Sequence, residues 1–424
     1  MKIALVARHA SAPATSADPY AAEQAAHVAG LGRALAALGH TVVVYARKNA
    51  PGMPDREKLA PGLVARYIKA GPAAPVPADQ IPHHVAEIGR YLAARWKKDA
   101  PDIVHAHHWT SGLAALLAAR EQPVPVVQTF GSLGIAEQRF GVPGPQESAR
   151  NKMEACIGRS VAGVLAHTSD EVSDLSALGI PGSRVRVVPG GVDVTKFRPD
   201  GPAAKRHADL RLLHVGSLAE HQGLDKLLAI LPDLPDAELV IAGGPDAEEL
   251  DSDIAYKKLG KLAAGLGIAD RVSFTGQVTS KNLPALIRSA DMFVSASRYE
   301  PFGSAAISAM ACGTPVIASA AGAYADAVVD GATGVLLPPG RPQLLARRLR
   351  ELLATPMKVT GFGIAAADRA RSRYPWDRVA AETVAAYERC AAVPAMALPA
   401  GPGRTAQLPG ARRQGAQAAQ QRAA

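Results

Sequence analysis

From the N-terminus to about residue 197, short apolar runs rich in β-branched residues alternate with segments of helical periodicity. The runs lie at residues 3–7, 41–45, 103–106, 124–129, 161–166 and 185–188. Between the first two, Val28, Leu31, Leu35 and Leu38 recur at intervals of three and four, and Gly39 follows as a helix stop. This alternation predicts a parallel sheet covered by helices.

The same alternation starts again after a polar, proline-containing stretch at residues 198–208. Its apolar runs lie at residues 210–215, 238–242, 272–274, 292–296 and 315–318. A chain of 424 residues is long enough for two separate cores. We therefore predict an N-terminal domain over residues 1–197, a linker over 198–208 and a second doubly wound domain over 209–375. A helix over 376–392 closes the fold, and residues 393–424, which have few large apolar side chains, are predicted to be disordered.

The composition limits the kinds of partner that the protein is expected to bind and the compartment in which it is expected to occur. The formal net charge is +9, and four arginines lie in the last 31 residues without an acidic residue beside them. No block of lysine and arginine alternates with aromatic residues, which argues against a dedicated nucleic-acid-binding protein. The three cysteines, Cys156, Cys312 and Cys390, lack disulfide-framework or metal-site spacing, and no run of 18 apolar residues occurs. A cytoplasmic protein is the simplest expectation.

Several enzyme classes lack their characteristic motifs. The loop after the first predicted strand reads RHASAPATSADPYAAEQ and contains no G-x-G-x-x-G, which argues against a nicotinamide or flavin oxidoreductase. The sequence also lacks G-x-x-x-x-G-K-S/T, H-E-x-x-H and G-x-S-x-G. Phosphate-loop NTPases, zinc proteases and serine hydrolases of the α/β class are therefore disfavoured.

A series of longer segments resembles the retaining glycosyltransferases of family 4. The second half contributes LLHVGSLAEHQGLDKLL (212–228), LVIAGG (239–244), RVSFTGQV (271–278), ADMFVSASRYEPFG (290–303), AMACGTPVIAS (309–319) and DGATGVLLPPG (330–340). The first half contributes GRALAALGHTVVV (32–44), PDIVHAHHWTSGLAA (101–115), VPVVQTF (124–130) and VVPGGVDVTKF (187–197). The resemblance covers nearly everything before residue 393 and implies the α/β GT-B fold, in which two Rossmann-like domains face each other across a cleft.

The resemblance also implies a set of site residues. Glu300 and His107 are the implied catalytic residues. Glu300 is expected to contact the transferred sugar, and His107, at the end of a strand, is expected to face the acceptor side of the cleft, with a purely structural role as the alternative. The residues implied in nucleotide-sugar binding are Gly216, Ser217, Gln222, Gly243, Val278, Phe302, Gly303, Ser304 and Ser308. Open α/β sheets bind ligands at strand ends, with phosphates at helix N-termini, and these residues stand at such places. We expect no cofactor and no metal, because the pair His107 and His108 has no third ligand nearby.

The sequence departs from the family pattern at three of these positions and at three others, and together the changes indicate a degenerate donor site. Similar enzymes have arginine and lysine where this chain has Ser217 and Gln222, and a second glutamate where it has Ser308. They also have Gly-Gly where this chain has Ala22 and Glu23, and histidine where it has Gly131. The nearest cations that could replace the missing charges are Arg298, Lys226 and His221, although surface or helix-face roles are expected for each.

Three functions stay open at this point. The first is transfer of a hexosyl group from a nucleotide-diphosphate sugar to a hydroxyl acceptor with retention of configuration. The second is a catalytically silent relative that serves as a binding or partner subunit. The third is a membrane-surface glycolipid enzyme, based on an apolar stripe of Val85, Ile88, Leu92 and Trp96 flanked by basic residues. The alternative for this stripe is packing against its own domain. At most, peripheral membrane contact is expected.

Overall fold

The computed structural model describes residues 1–9, 21–142 and 147–391. The tail at 393–424, which the sequence predicts to be disordered, lies outside these residues.

The N-terminal half forms one eight-stranded sheet and the helices that cover it. Its strands are β1 (Lys2–Val6), β2 (Thr41–Arg47), β3 (Arg56–Ala60), β4 (Leu63–Ile68), β5 (Ile103–His107), β6 (Val126–Thr129), β7 (Gly163–Ala166) and β8 (Val185–Val187). Its helices are α1 (Ala21–Ala37), α2 (Val85–Lys98), α3 (Trp109–Glu121), α4 (Gly134–Phe140), α5 (Glu147–Ser160) and α6 (Ser169–Ala177). The strand order is β3-β4-β2-β1-β5-β6-β7-β8, and every pair is parallel except β3 with β4.

The C-terminal half forms a six-stranded parallel sheet. Its strands are β9 (Leu210–Val215), β10 (Ala237–Ala242), β11 (Val272–Gly276), β12 (Met292–Ser295), β13 (Val316–Ser319) and β14 (Gly334–Leu337), in the order β11-β10-β9-β12-β13-β14. The helices that follow in the chain are α7 (Leu224–Ile230), α8 (Ile254–Gly265), α9 (Leu283–Arg288), α10 (Ser304–Ala311), α11 (Ala323–Ala327), α12 (Pro342–Leu353), α13 (Pro356–Arg373) and α14 (Trp376–Ala391). Each sheet has buried apolar clusters on both of its faces, as a doubly wound domain requires.

The sequence did not predict three of these strands. β3 carries Arg56, Glu57 and Lys58 and lies at an exposed sheet edge, where charged residues discourage pairing with other chains. β4 follows it through a tight turn. β14 has four residues inside a glycine- and proline-containing segment, so its apolar run is too short to be distinguished from a loop.

The last helix, α14, returns to the N-terminal half and packs against α1. The indole of Trp376 fills the space beside Gly30 of α1 and beside Gly191, which leads into the second domain. At the other end of α14, the hydroxyl of Tyr387 lies 2.8 Å from Nδ1 of His105. Helix α14 therefore holds the first domain to the second.

Between β5, α1 and α14 lies a group of four buried histidines, which we call the histidine cluster: His27, His105, His107 and His167. The ring centroids of His105 and His107 are 4.1 Å apart, and those of His27 and His167 are 4.6 Å apart. Burial lowers the pKa of all four, that of His167 to about 4, and the neighbouring imidazoles lower the other three further. The cluster is therefore neutral at physiological pH.

The apolar stripe of α2 packs inside the N-terminal domain. Val85, Leu92 and Trp96 are at most 3% exposed and belong to the cluster on the α2 and α3 face of the sheet. The membrane-surface hypothesis needs this stripe to be exposed, so the structure removes its basis. Among the described residues, no helix combines the length and the apolar character needed to cross a bilayer.

Substitution of Gly30 tests the docking of α14. A Cβ at Gly30 would lie 2.3 Å from the Trp376 ring, so Gly30→Ala should destabilise the protein by about 1–3 kcal/mol. The matched control is Gly260→Ala in α8, where a Cβ meets no atom within 4 Å and alanine should stabilise the helix by about 0.5–1 kcal/mol. Denaturant unfolding followed by circular dichroism measures both. If the two substitutions changed the free energy of unfolding equally, Trp376 would not occupy the space beside Gly30.

The histidine cluster predicts a loss of stability in acid. Below about pH 6.5 the unfolded chain takes up protons that the buried imidazoles do not, so the free energy of unfolding falls as the pH drops. Replacing one cluster member, His27→Phe, should reduce this fall between pH 7 and pH 5 by about 2 kcal/mol. Buried carboxyls with a raised pKa, such as Glu171, have the opposite effect: they increase the free energy of unfolding as the pH drops. The quantity to measure is therefore the difference in free energy of unfolding between variant and parent at each pH. The exposed His83→Phe should leave the pH dependence unchanged.

Candidate functional site

A cleft of about 1270 Å³ lies between the two domains. Its walls include the carboxyl ends of β1 and β2 on the N-terminal side and those of β9 and β10 on the C-terminal side. The carboxyl ends of parallel strands are where doubly wound folds bind ligands, and the volume suits a ligand larger than a monosaccharide.

Two glycines line the C-terminal wall of the cleft. Gly216 follows β9 and Gly243 follows β10. Gly243 has a φ of +125°, and a Cβ there would lie 2.1 Å from the carbonyl oxygen of Gly216. Glycine is therefore required at Gly243, and both strand ends present bare backbone to the cleft.

Glu300 stands between β12 and α10, with its side chain at the start of that helix. It is 5% exposed, and its Oε1 accepts a hydrogen bond of 3.1 Å from the backbone N–H of Gly303, the N-cap residue of α10. Burial raises its pKa, while the hydrogen bond from Gly303 opposes that rise. The carbonyl of Glu300 accepts from Ala323 at 2.7 Å, so both main chain and side chain are fixed.

The loop around Glu300 is anchored in the N-terminal domain. The ring of Tyr299 stacks on that of Phe140 in α4, with centroids 5.5 Å apart and planes 15° apart. The Phe302 ring lies 5.3 Å from that of His167, and its Cζ lies 3.0 Å from the position of a Cβ on Gly131. Aromatic side chains from one domain thus fill the core of the other.

Glu23 reaches the same place from the opposite wall. It lies in the first turn of α1, and its carboxyl accepts a hydrogen bond from the hydroxyl of Ser304, the first residue of α10. Enclosure between the two domains and, after it, the nearby Glu300 raise the pKa of Glu23, the Ser304 hydroxyl lowers it, and the resulting pKa is about 8. At neutral pH this side chain is therefore mainly a neutral carboxylic acid.

Uncharged polar groups surround this end of the cleft. The hydroxyl oxygen of Ser217 and Oε1 of Gln222 are buried and form no hydrogen bond within the described part of the chain. Ser308, on the second turn of α10, also lines the cleft and is 8% exposed. Buried polar atoms without partners are costly, so these groups are suited to be completed by a ligand.

The three candidate replacement cations do not reach the cleft wall. Lys226 pairs with its neighbour Asp225 at 2.9 Å and borders a separate small cavity. Arg298 is 3.8 Å from Glu220 and is half exposed. Burial, and after it the charge of Arg298, lowers the pKa of His221 to about 4, so His221 is neutral. None of the three supplies positive charge beside Ser217 and Gln222.

Charges on the cleft walls are divided between the domains. Arg8 and Arg47 line the N-terminal wall, and Arg47 donates to the carbonyl of Pro72 at 2.6 Å. On the C-terminal wall, the charged residues lining the cleft are Asp246, Glu249, Asp253 and Glu300. Among the described lining residues, every arginine therefore belongs to the wall opposite the expected donor site.

The structure brings together most of the residues that the sequence predicts. Eight of the eleven line the cleft: Gly216, Ser217, Gln222, Gly243, Val278, Glu300, Ser304 and Ser308. Gly303 lies behind them as the N-cap of α10, with a φ of +68°. Phe302 points away from the cleft into the N-terminal core.

The expectation that His107 faces the cleft is wrong. Residues 103, 105 and 107 of β5 share one face of the strand, and that face is covered by α1 and α14. His107 is 1% exposed and belongs to the histidine cluster. The next residue, His108, has a φ of +75° and caps α3, with Nδ1 2.9 Å from the hydroxyl of Thr110. In the described ranges, no group of three or more His, Cys, Asp or Glu is arranged to hold a metal ion.

Some cleft residues were not predicted. Arg8, Thr110 and Asp246 follow strands β1, β5 and β10, so their position after a strand was the available signal. Tyr299 does not line the cleft, and its anchoring role could not be predicted because its contact with Phe140 joins two domains that are distant in sequence.

Comparisons with known proteins agree with this architecture. A family model described as Glycosyl transferases group 1 matches residues 200–369, and one described as Glycosyltransferase Family 4 matches residues 24–196. The D-inositol 3-phosphate glycosyltransferase of Streptomyces bingchenggensis is 32% identical over 383 residues, which cover 85% of this chain and 83% of that protein. D-inositol 3-phosphate glycosyltransferase 2 of Catenulispora acidiphila is 32% identical over 92% of this chain and 95% of its own length.

Solved structures show the same fold. Sucrose-phosphate synthase from Thermosynechococcus elongatus has a TM-score of 0.82 and 27% identity, with 92% of this chain and 99% of that chain covered. Anabaena HepE in complex with UDP-glucose has a TM-score of 0.68 and 19% identity, with 91% of this chain and 99% of that chain covered. The predicted GT-B fold is confirmed, and the chain belongs to the family 4 glycosyltransferases.

Proposed function

We propose that this protein transfers a hexosyl group from a nucleotide-diphosphate sugar to a hydroxyl acceptor, with retention of the anomeric configuration. The observation that carries the proposal is the position of Glu300. Its carboxyl is held at the N-terminus of α10, inside a cleft lined by the glycine-rich ends of β9 and β10. A helix N-terminus favours bound phosphate, and a carboxyl beside it can orient the hydroxyls of the attached sugar.

The transfer should be slow. Phosphoryl leaving groups are usually stabilised by positive charge, and one preorganised contact to a developing anion contributes about 10²–10³ in rate. Ser217 and Gln222 stand where relatives have cations, and the described cleft residues add no lysine or arginine to that wall. Stabilisation of the diphosphate then depends on the N-terminus of α10 and on neutral hydrogen-bond donors.

The acceptor side is the N-terminal wall. Arg8 and Arg47 lie on it, so a negatively charged acceptor is favoured there. The relatives at 32% identity are named for D-inositol 3-phosphate, a phosphorylated polyol. We propose an acceptor of this class, a polyhydroxylated compound that carries an anionic group.

A second candidate function is a catalytically silent subunit that binds a ligand or a protein partner. The observation in its favour is the same lack of positive charge at the donor end, together with Glu23 beside Glu300. This candidate predicts an intact fold and no turnover with any activated sugar.

Transfer assays with substitution of Glu300 test the proposal. UDP-glucose, ADP-glucose and GDP-mannose are each incubated with inositol or D-inositol 3-phosphate, and nucleotide release and glycosylated product are measured. We expect turnover with one donor and faster turnover with the phosphorylated acceptor. Glu300→Gln should lower turnover at least about 100-fold, because the carboxylate is lost while the hydrogen bond from Gly303 can persist.

The control variant is Glu248→Gln, which makes the same chemical change at an exposed residue outside the cleft lining. Proton NMR of the product determines whether the anomeric configuration is retained. Turnover that is insensitive to Glu300→Gln would contradict the assignment of the site. The absence of turnover with every donor would support the silent subunit instead.

A further inference from the structure

Among the described residues, Glu23 is the one acidic side chain that lines the cleft from the N-terminal domain. It lies 281 residues from Ser304 in sequence, and a hydrogen bond from the Ser304 hydroxyl joins the first turn of α1 to the first turn of α10. A phosphate attracted to the N-terminus of α10 would therefore meet the Glu23 carboxyl.

The groups around Glu23 determine which form of the carboxyl is present. Glu300 faces it from the loop before α10, and the neutral Tyr324 of α11 stands behind Glu300. His27, one turn further along α1, is neutral, and Arg8 and His9 line the same cleft from the end of β1. Enclosure and the charge of Glu300 outweigh the single hydrogen bond from Ser304, and they hold the pKa near 8.

A neutral carboxylic acid has a property that a carboxylate lacks. Its O–H donates a hydrogen bond, whereas a carboxylate only accepts. The other polar groups at this end are also uncharged: Ser304 and Ser308 on α10, and Ser217 and Gln222 on the facing loop. The site thus offers several neutral donors to an anion and no lysine or arginine from the described C-terminal wall.

We propose that Glu23 binds the donor as a protonated acid, donating a hydrogen bond to the diphosphate at the N-terminus of α10 in place of the cations found in relatives. This inference rests on the proposed function, because it assigns a role within the same donor site. It makes Glu23 a ligand-binding residue, where a carboxylate would repel the diphosphate.

The protonation of Glu23 determines the direction in which the affinity for a nucleoside diphosphate changes with pH. Below about pH 8, Glu23 is neutral and donates, and above it the ionised carboxylate repels the ligand. The phosphate of a nucleoside diphosphate is already fully ionised above about pH 7, so its own titration does not contribute there. Affinity for a nucleoside diphosphate should therefore fall with rising pH, by up to about tenfold for each unit above 8.

The test is calorimetric titration of the full-length protein with UDP, ADP and GDP at pH 7.0 and pH 9.0. The parent protein should lose about tenfold in affinity for its preferred nucleotide between these values. Glu23→Gln keeps a neutral N–H donor and cannot ionise, so its affinity should stay nearly constant. Glu23→Ala should bind more weakly than the parent at pH 7.0, and the exposed Glu248→Gln should follow the parent at both values. Circular dichroism checks that each variant is folded.

Two results would overturn the role of Glu23 and leave the proposed function standing. One is a parallel pH dependence of the parent and Glu23→Gln. The other is tighter binding by Glu23→Ala than by the parent at pH 7.0, which would make Glu23 an obstacle to the donor. Binding of no nucleotide by any of the proteins at either pH would instead reject the donor site itself, and the role of Glu23 with it.

Discussion

The docking of the loop at residues 299–304 into the N-terminal domain is the constraint on which the rest of the site depends. Tyr299 stacks on Phe140 and Phe302 packs beside His167, so both aromatic anchors belong to the C-terminal domain and are buried in the other. Between them, the carbonyl of Glu300 lies where a Cβ on Gly322 would be only 2.2 Å away. The loop therefore has little freedom, and the direction of α10 and the position of its N-terminus follow from it.

Further contacts hold the two domains in the same arrangement. Asp170 of α6 accepts a hydrogen bond from the N–H of Gly322 at 3.1 Å, and Asp326 of α11 accepts one from Ser169 at 2.6 Å. Trp376 and α14 also join the domains, next to the histidine cluster, where the Trp376 ring lies 5.4 Å from that of His27. The cleft is thus shaped by contacts at its base, and a ligand that binds there meets walls that are already in place. Preorganisation of this kind lowers the entropic cost of binding.

The sequence predicted the fold well where the signal was local. Apolar runs marked both sheets, and motifs after strands β9, β10, β11 and β12 marked eight residues of the cleft wall. The wrong or missing predictions have a common cause. Each concerns a property that depends on the direction of a side chain or on contacts between residues distant in sequence. His107 stands at a strand end as predicted, but its place on the α1 face of β5 buries it. Phe302 belongs to a binding motif, yet its ring completes the core of the other domain. The raised pKa of Glu23 could not be predicted from the sequence, because it results from enclosure by a helix nearly three hundred residues away.

In the proposed binding mode, an anionic donor is held by neutral hydrogen-bond donors and a helix N-terminus. A crystal structure of the protein with its preferred nucleoside diphosphate tests this most directly. We expect the terminal phosphate at the N-terminus of α10, within hydrogen-bond distance of Ser304 and Glu23, with Ser217 or Gln222 completing its contacts. A phosphate held by a lysine or arginine side chain, or a nucleotide bound away from α10, would contradict it.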